Sequence, residues 1–290
     1  MKKPIVLFLT LLILLLITPT ESSADKLQLN LTKGEIAYTF FDLTHGEATL
    51  IQGDRDQTVL INTGHGQSEE ELEERLNMFN VSSIDTLIIT SKQIEYIGNL
   101  PWILGNYDIE RLFLPQSLFT KFEKLLSDFD VQVTTYKKGD HYSLLNDLHI
   151  EILYVEDKEG DDKGGSAFFI NHFDQKLLYM TVANPHVEKQ LVQEFDLKST
   201  MFKVPDFGSD RGTSEDLLDE VDPQVAVIFR NGENKPSSYV MERLQETWID
   251  IYQTSRIGTV TIKCNEKDYE IITVRPKKDG LFPKSWFTRK

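Results

Sequence analysis

The sequence predicts an α/β fold with mixed β-sheets. Short runs rich in β-branched and aromatic residues alternate with amphipathic stretches of helical period, and several of the strand-like runs are separated only by short turns. This alternation is typical of sheets that are covered by helices. The 290 residues suffice for one large domain or two small ones, and 40% hydrophobic with 27% charged residues is an ordinary globular balance.

The N-terminus has the pattern of a secretory signal peptide. Lys2 and Lys3 precede an apolar run over residues 5–17, and small residues at 22–24 fit a cleavage site. The run is short for a bilayer span, so an uncleaved N-terminal anchor is the less favoured alternative. We therefore expect a signal peptide over residues 1–24, a linker over 25–34 and a secreted, extracellular protein.

Charge and cysteine content exclude some classes of protein. The formal net charge is −15, which disfavours avid, non-specific binding of nucleic acid because phosphates are bound through Lys and Arg. Cys264 is the single cysteine of the sequence, so no intramolecular disulfide can form. The stability must then come from the hydrophobic core.

The elements are predicted in order over a domain of residues 35–275. Strands are predicted over 35–42, 58–64, 86–90, 111–115, 131–136, 148–155, 167–173 and 176–181. Helices are predicted from residue 68, over 117–129 and over 185–195.

Two helix starts carry capping signals. Ser68 followed by Glu71 is the spacing of a capping box, in which each side chain bonds the backbone N–H of the other. Asn184 before Pro185 predicts an N-cap and a first helical residue.

The stretch from Thr86 to Asn99 is the one around which the other motifs are arranged. A buried strand runs into the polar loop Ser91-Lys92-Gln93-Ile94-Glu95-Tyr96, and the chain continues as an apolar segment that contains Gly98. Six further motifs are found elsewhere in the chain, at Phe40–Ile51, Leu60–Gly64, Met201–Ser209, Thr213–Leu218, Asp222–Ile228 and Ile251–Ile262. In order and spacing they resemble the metallo-β-lactamase fold superfamily, most closely its ComEC-type branch, over about residues 35–265. The resemblance implies a four-layer αββα sandwich of two mixed sheets with helices on the outer faces. It also implies a hairpin over residues 251–262.

The resemblance also implies where a metal site would lie, and the ligands are replaced there. The family's His-x-His-x-Asp-His positions are Ser91, Gln93, Glu95 and Tyr96. Its bridging Asp corresponds to Val182, its later His-His pair to Asp206 and Phe207, and a supporting Asp to Asn62. Zinc takes His, Cys or carboxylate ligands, and a catalytic site needs about three of them. We expect no cofactor and no catalytic residue, with Glu95 and Asp206 as weak metal candidates.

Several functions fit this pattern. The first is a secreted pseudoenzyme that binds an unidentified ligand or protein partner. The alternative is a metal-dependent hydrolase, phosphodiesterase- or nuclease-like, with a carboxylate-based site that favours Mg²⁺, Ca²⁺ or Mn²⁺ over zinc. An accessory role in extracellular DNA uptake rests on analogy with the family alone.

The tail at 276–290 differs in composition from the domain. Basic residues alternate with Phe282, Trp286 and Phe287, a pattern that suits an anionic membrane or cell-wall surface. Packing of these aromatic side chains back onto the domain is the favoured alternative.

Overall fold

The computed structural model describes residues 26–156 and 164–275. The predicted signal peptide, the tail at 276–290 and residues 157–163 of the loop after the eighth strand lie outside the described residues. Within those two ranges, no helix is both long and apolar enough to cross a membrane.

The described residues form fifteen strands and eight α-helices. The strands are β1 (Ile36–Phe40), β2 (Thr49–Gly53), β3 (Thr58–Ile61), β4 (Ser83–Ile88), β5 (Asp108–Pro115), β6 (Gln132–Tyr136), β7 (His141–Leu145), β8 (Leu148–Glu156), β9 (Gly165–His172), β10 (Gln175–Met180), β11 (Met201–Lys203), β12 (Val225–Ile228), β13 (Asp250–Gln253), β14 (Thr259–Cys264) and β15 (Tyr269–Val274). The helices are α1 (Glu69–Met78), α2 (Ile94–Ile97), α3 (Leu100–Asn106), α4 (Gln116–Leu126), α5 (Pro185–Glu194), α6 (Glu215–Val221), α7 (Ser238–Glu246) and α8 (Thr254–Ile257).

The strands build two mixed sheets. The first has the order β15-β14-β1-β2-β3-β4-β5-β6, and the second has the order β13-β12-β11-β10-β9-β8-β7. Strands β3 to β6 pair in parallel, as do β10 to β13, while the remaining pairs are antiparallel. Parallel neighbours place the loops that follow them at one edge of each sheet, which is where the candidate site lies.

Three hydrophobic clusters show that the sheets are layered. One cluster lies between the sheets and joins Tyr38 and Phe40 of β1 to Phe168 of β9 and Tyr179 of β10. A second packs helices α1, α3 and α4 on the outer face of the first sheet, and a third packs α5, α6 and α7 on the second. The four-layer αββα sandwich that the resemblance implies is thus confirmed. Most of the buried apolar surface that stabilises the fold lies in these three layers.

The segment predicted as a linker contacts the domain. The backbone N–H of Leu27 donates to the carbonyl oxygen of Met78 at 2.8 Å, and Leu27 and Leu29 pack against the outer cluster of the first sheet.

The hairpin predicted over 251–262 is wrong. Strand β13 ends the second sheet, α8 follows it, and β14 pairs with β1 in the first sheet. The chain therefore crosses from one sheet to the other here, which a pattern of two adjacent strands cannot distinguish from a hairpin.

The predicted capping box at α1 is also wrong. Ser68 is the N-cap residue but makes no side-chain capping bond; its hydroxyl accepts from the His45 N–H at 2.9 Å. The Glu71 carboxylate binds the Thr44 N–H at 2.5 Å and the Thr44 hydroxyl at 2.6 Å. Both side chains hold the loop after β1 instead of the helix end. At α5 the prediction is confirmed, because the Asn184 side chain accepts from the His186 N–H at 2.9 Å.

Candidate functional site

The loops after β4, β10 and β11 meet at one edge of the sandwich. They line a pocket of about 360 Å³ that includes Gln93, Val182 and Asp206 from the three loops, with Arg211 beside them. The structure therefore brings together residues more than a hundred positions apart in sequence.

Two aromatic rings from different loops stand next to each other at this edge. The ring centroids of Tyr96 and Phe207 are 5.6 Å apart, and Tyr96 is fully buried. Burial, reinforced by the Glu47 and Asp206 carboxylates, raises the pKa of the Tyr96 phenol well above its usual value. The phenol thus stays protonated at neutral pH. Its oxygen has no hydrogen-bond partner among the described residues.

The remaining positions of the β4 loop are held by hydrogen bonds. Ser91 and Gln93 bond each other, and Glu95 bonds the backbone at residue 47. The buried Ser91 hydroxyl accepts from the Gln93 N–H at 3.3 Å and from the Gln93 side-chain amide at 3.4 Å. The Glu95 carbonyl oxygen accepts from the Glu47 N–H at 3.0 Å. These bonds fix the course of the loop.

Asp206 is the carboxylate of the third loop, and it is held by Arg211. The two side chains form an ion pair, with Arg211 about half exposed. Burial raises the pKa of Asp206, and the charge of Glu95 adds to the rise, whereas the charge of Lys203 acts in the opposite direction. Asp206 and Phe207 both have left-handed backbone conformations, with φ of 44° and 56°, which L-residues adopt at a conformational cost.

Beneath these loops lies a buried ion pair that the sequence analysis missed. Lys203 and Glu47 are fully inaccessible, and the Lys203 ammonium pairs with the Glu47 carboxylate. The ammonium also donates to the Met180 carbonyl oxygen at 3.0 Å. Glu47 accepts from the Asn62 amide at 3.0 Å and from the Tyr179 hydroxyl at 3.1 Å.

The electrostatics of the pair follow from its burial. Burial raises the pKa of Glu47 and lowers the pKa of Lys203, while their mutual attraction opposes both shifts. Three aromatic rings surround the ammonium, with centroids at 5.0 Å (Tyr179), 5.6 Å (Phe229) and 5.7 Å (Tyr96). A cation at these distances is attracted by the ring faces. The signal in the sequence was a lysine within the otherwise apolar strand β11.

Asn62 connects this network to the β4 loop. The oxygen of its side-chain amide accepts from the Thr90 N–H at 3.0 Å and from the Thr90 hydroxyl at 2.9 Å, and Thr90 directly precedes Ser91. The neutral amide of Asn62 therefore bonds both the backbone N–H just after β4 and the Glu47 carboxylate.

The side chains at this edge are not a suitable set of ligands for zinc. Across residues 26–156 and 164–275, no three His, Cys, Asp or Glu side chains are grouped so that they could hold a metal ion. The loops offer the carboxylates Glu95 and Asp206, and Asp206 is already paired with Arg211. The other five positions hold a serine, a glutamine, a valine and two aromatic residues, none of which is a good ligand for zinc.

Comparison with solved structures identifies the fold. The metallo-β-lactamase fold protein YhfI from Bacillus subtilis superposes with a TM-score of 0.56 at 10% identity, covering 75% of this chain and 95% of that one. Igni18, a metallo hydrolase from Ignicoccus hospitalis, gives a TM-score of 0.56 at 14% identity, covering 78% and 98%. The chain has the metallo-β-lactamase fold. No protein-family model matches it.

A sequence relative supports the ComEC-type branch of metallo-β-lactamase-fold proteins. ComE operon protein 3 from Bacillus subtilis (strain 168) is 24% identical over 281 residues, which cover 87% of this chain. The match includes 34% of the relative, so this metallo-β-lactamase-fold chain spans about a third of that protein's length.

Proposed function

We propose that this metallo-β-lactamase-fold protein is secreted and acts by binding, without metal-dependent catalysis. The observation that carries the proposal is the content of the three loops, where Val182, Tyr96 and Phe207 occupy positions that the resemblance assigns to metal ligands. A valine offers no donor atom, a phenylalanine offers none, and a protonated phenol is a poor ligand for zinc.

The pocket that remains has the composition of a ligand site. Its walls combine apolar surface from Val182, Ala183 and Pro185 with the Gln93 amide and the Arg211 guanidinium. Apolar walls with a few oriented polar groups are typical of small-molecule pockets. The pocket is the place where binding is expected.

A second candidate is a hydrolase with an altered metal site. Glu95 and Asp206 lie close enough for the charge of one to raise the pKa of the other. Two carboxylates offer hard oxygen ligands, which suit Mg²⁺, Ca²⁺ or Mn²⁺. This candidate would be phosphodiesterase- or nuclease-like.

A role as an accessory factor in DNA uptake is favoured by the match to ComE operon protein 3. The net charge of −15 acts against it, because binding to DNA releases counterions only where basic residues meet phosphates.

A hydrolysis assay tests the first candidate against the second. Purified protein is incubated with bis(p-nitrophenyl) phosphate or a β-lactam in the presence of Zn²⁺, Mn²⁺, Mg²⁺ or Ca²⁺. We expect turnover no faster than in buffer, and no change on Glu95→Gln or Asp206→Asn. The control is Glu110→Gln, at an exposed position of β5. Metal-dependent turnover that falls in Glu95→Gln or Asp206→Asn, but not in the control, would establish the hydrolase instead.

A further inference from the structure

A larger groove opens at the end of the second sheet that is opposite the three loops. Its volume is about 880 Å³. It is lined at the starts of the parallel strands β11, β12 and β13 by residues 198–200, 222–224 and Trp248 with Asp250. Asp174 and Lys176 at the start of β10, and residues 267–269 at the start of β15 in the first sheet, complete the lining. We call it the Trp248 groove. It shares no residue with the pocket near Asp206.

Trp248 is placed there at a cost to the fold. Its side chain is 96% exposed, and its backbone is left-handed with φ of 59°. It directly follows the C-cap residue Thr247 of α7, a position where glycine is favoured because glycine adopts this conformation freely. A tryptophan here strains the backbone and leaves its indole in water. Neither property stabilises the protein, and backbone strain of this kind is often found at functional sites.

The rest of the groove is polar and close to electrical balance. Three lysines and four aspartates line it, with Ser199, Thr200 and Gln224 between them. Lys198 and Asp222 pair at 3.0 Å. A nucleic acid would require an excess of basic residues, and an apolar peptide would require a more apolar wall. The lining suits a neutral ligand with many hydroxyl groups.

We propose that the Trp248 groove binds a neutral, hydroxyl-rich glycan. The face of an indole ring carries partial negative charge, so the C–H face of a sugar ring packs against it favourably. Carboxylates such as Asp268 and ammonium groups such as Lys267 then bond the ring hydroxyls, and hydrogen bonds to charged groups are stronger than neutral ones. Tyr269 supplies a second aromatic surface in the same groove. This site is independent of the function proposed for the loops.

Intrinsic fluorescence tests the assignment directly. The purified protein is titrated with N-acetylglucosamine tetramer, cellotetraose and maltotetraose at up to millimolar concentration. We expect saturable quenching or a blue shift with at least one of them. Trp248→Gly should weaken that binding by about tenfold or more, measured by calorimetry since the fluorophore is removed, whereas Trp248→Phe should keep part of it. The matched control is Tyr239→Ala, which removes another exposed aromatic side chain of α7 outside the groove.

The thermal stability of the same variant provides a second readout. Trp248→Gly should unfold at the same temperature as the native protein or a few degrees higher, because glycine relieves the left-handed strain. Loss of glycan binding then cannot be ascribed to misfolding. The proposal is overturned if none of the three oligosaccharides binds in a Trp248-dependent way, or if a single-stranded oligonucleotide does so instead. A marked loss of stability in Trp248→Gly would also overturn it, because Trp248 would then serve the fold.

Discussion

At the residue scale, the buried ion pair of Lys203 and Glu47 is the feature of the site that the sequence pattern did not predict. Two charges are removed from water between the sheets, and each is compensated by the other and by neighbouring dipoles. The lysine is visible in the sequence, but its partner is 156 positions earlier in the chain. A pattern of neighbouring residues could not pair them.

Replacement of Lys203 by methionine should destabilise the protein strongly. The change leaves the Glu47 carboxylate buried without its counter-charge, and such losses cost about 3–5 kcal/mol. Urea unfolding followed by circular dichroism measures the free energy of unfolding. Glu47→Gln should also lose stability, because it leaves the Lys203 ammonium buried without its counter-charge, although the new amide oxygen can still accept from Asn62 and Tyr179.

The exposed pair of Lys198 and Asp222 provides the control for that experiment. Its side chains are 72% and 69% exposed, so Lys198→Met should change the free energy of unfolding by less than about 1 kcal/mol. Equal effects of Lys198→Met and Lys203→Met would mean that the buried pair is not formed.

Asp42 should make the stability depend on pH. Burial raises the pKa of its carboxyl group to about 6, although the charges of Arg230 and Arg75 oppose the rise. The folded state thus binds the proton more tightly than the unfolded state, whose pKa is about 4. The contribution of Asp42 to stability is therefore lost as pH rises from about 4 through 6.

The comparison of native protein with Asp42→Asn isolates this effect. The variant should gain thermal stability relative to the native protein as the pH is raised from acid to neutral, by a few degrees at most. A difference in melting temperature that stays constant across this range would show that Asp42 has an ordinary pKa in the fold.

At the scale of elements, the sequence was most informative where a pattern is local. The Asn184-Pro185 start of α5 was predictable because cap and first turn lie within three residues of each other. The roles of Ser68 and Glu71 were not, because both side chains bond the loop at residues 44–45, more than twenty positions away. Strand β7 was missed because two of its five residues are exposed and its apolar pattern is weak.

The chain crosses from one sheet to the other between β13 and β14, and this crossing was not predictable from a local pattern either. The resemblance predicted both strands but paired them with each other, whereas the actual pairing depends on contacts with distant strands of two different sheets. In the structure β14 is inserted between β1 and β15, while β13 ends the other sheet.

At the scale of the whole molecule, the order of the motifs was enough to predict the fold. The flanks of each motif are buried strands whose packing needs only the right apolar pattern, so they remain recognisable while the loops between them change. The seven loop positions could therefore be named in advance. The contacts of these positions could not be predicted from the sequence. The Trp248 groove could not be predicted either, because it is assembled from segments between residues 174 and 269.

We propose that this edge of the metallo-β-lactamase fold holds no metal. The most direct measurement is the metal content of protein purified from zinc-supplemented culture, together with a calorimetric titration with Zn²⁺. We expect much less than one equivalent of zinc and no saturable heat of binding. One or two tightly bound equivalents, lost on Glu95→Gln or Asp206→Asn but retained on Glu110→Gln, would contradict it.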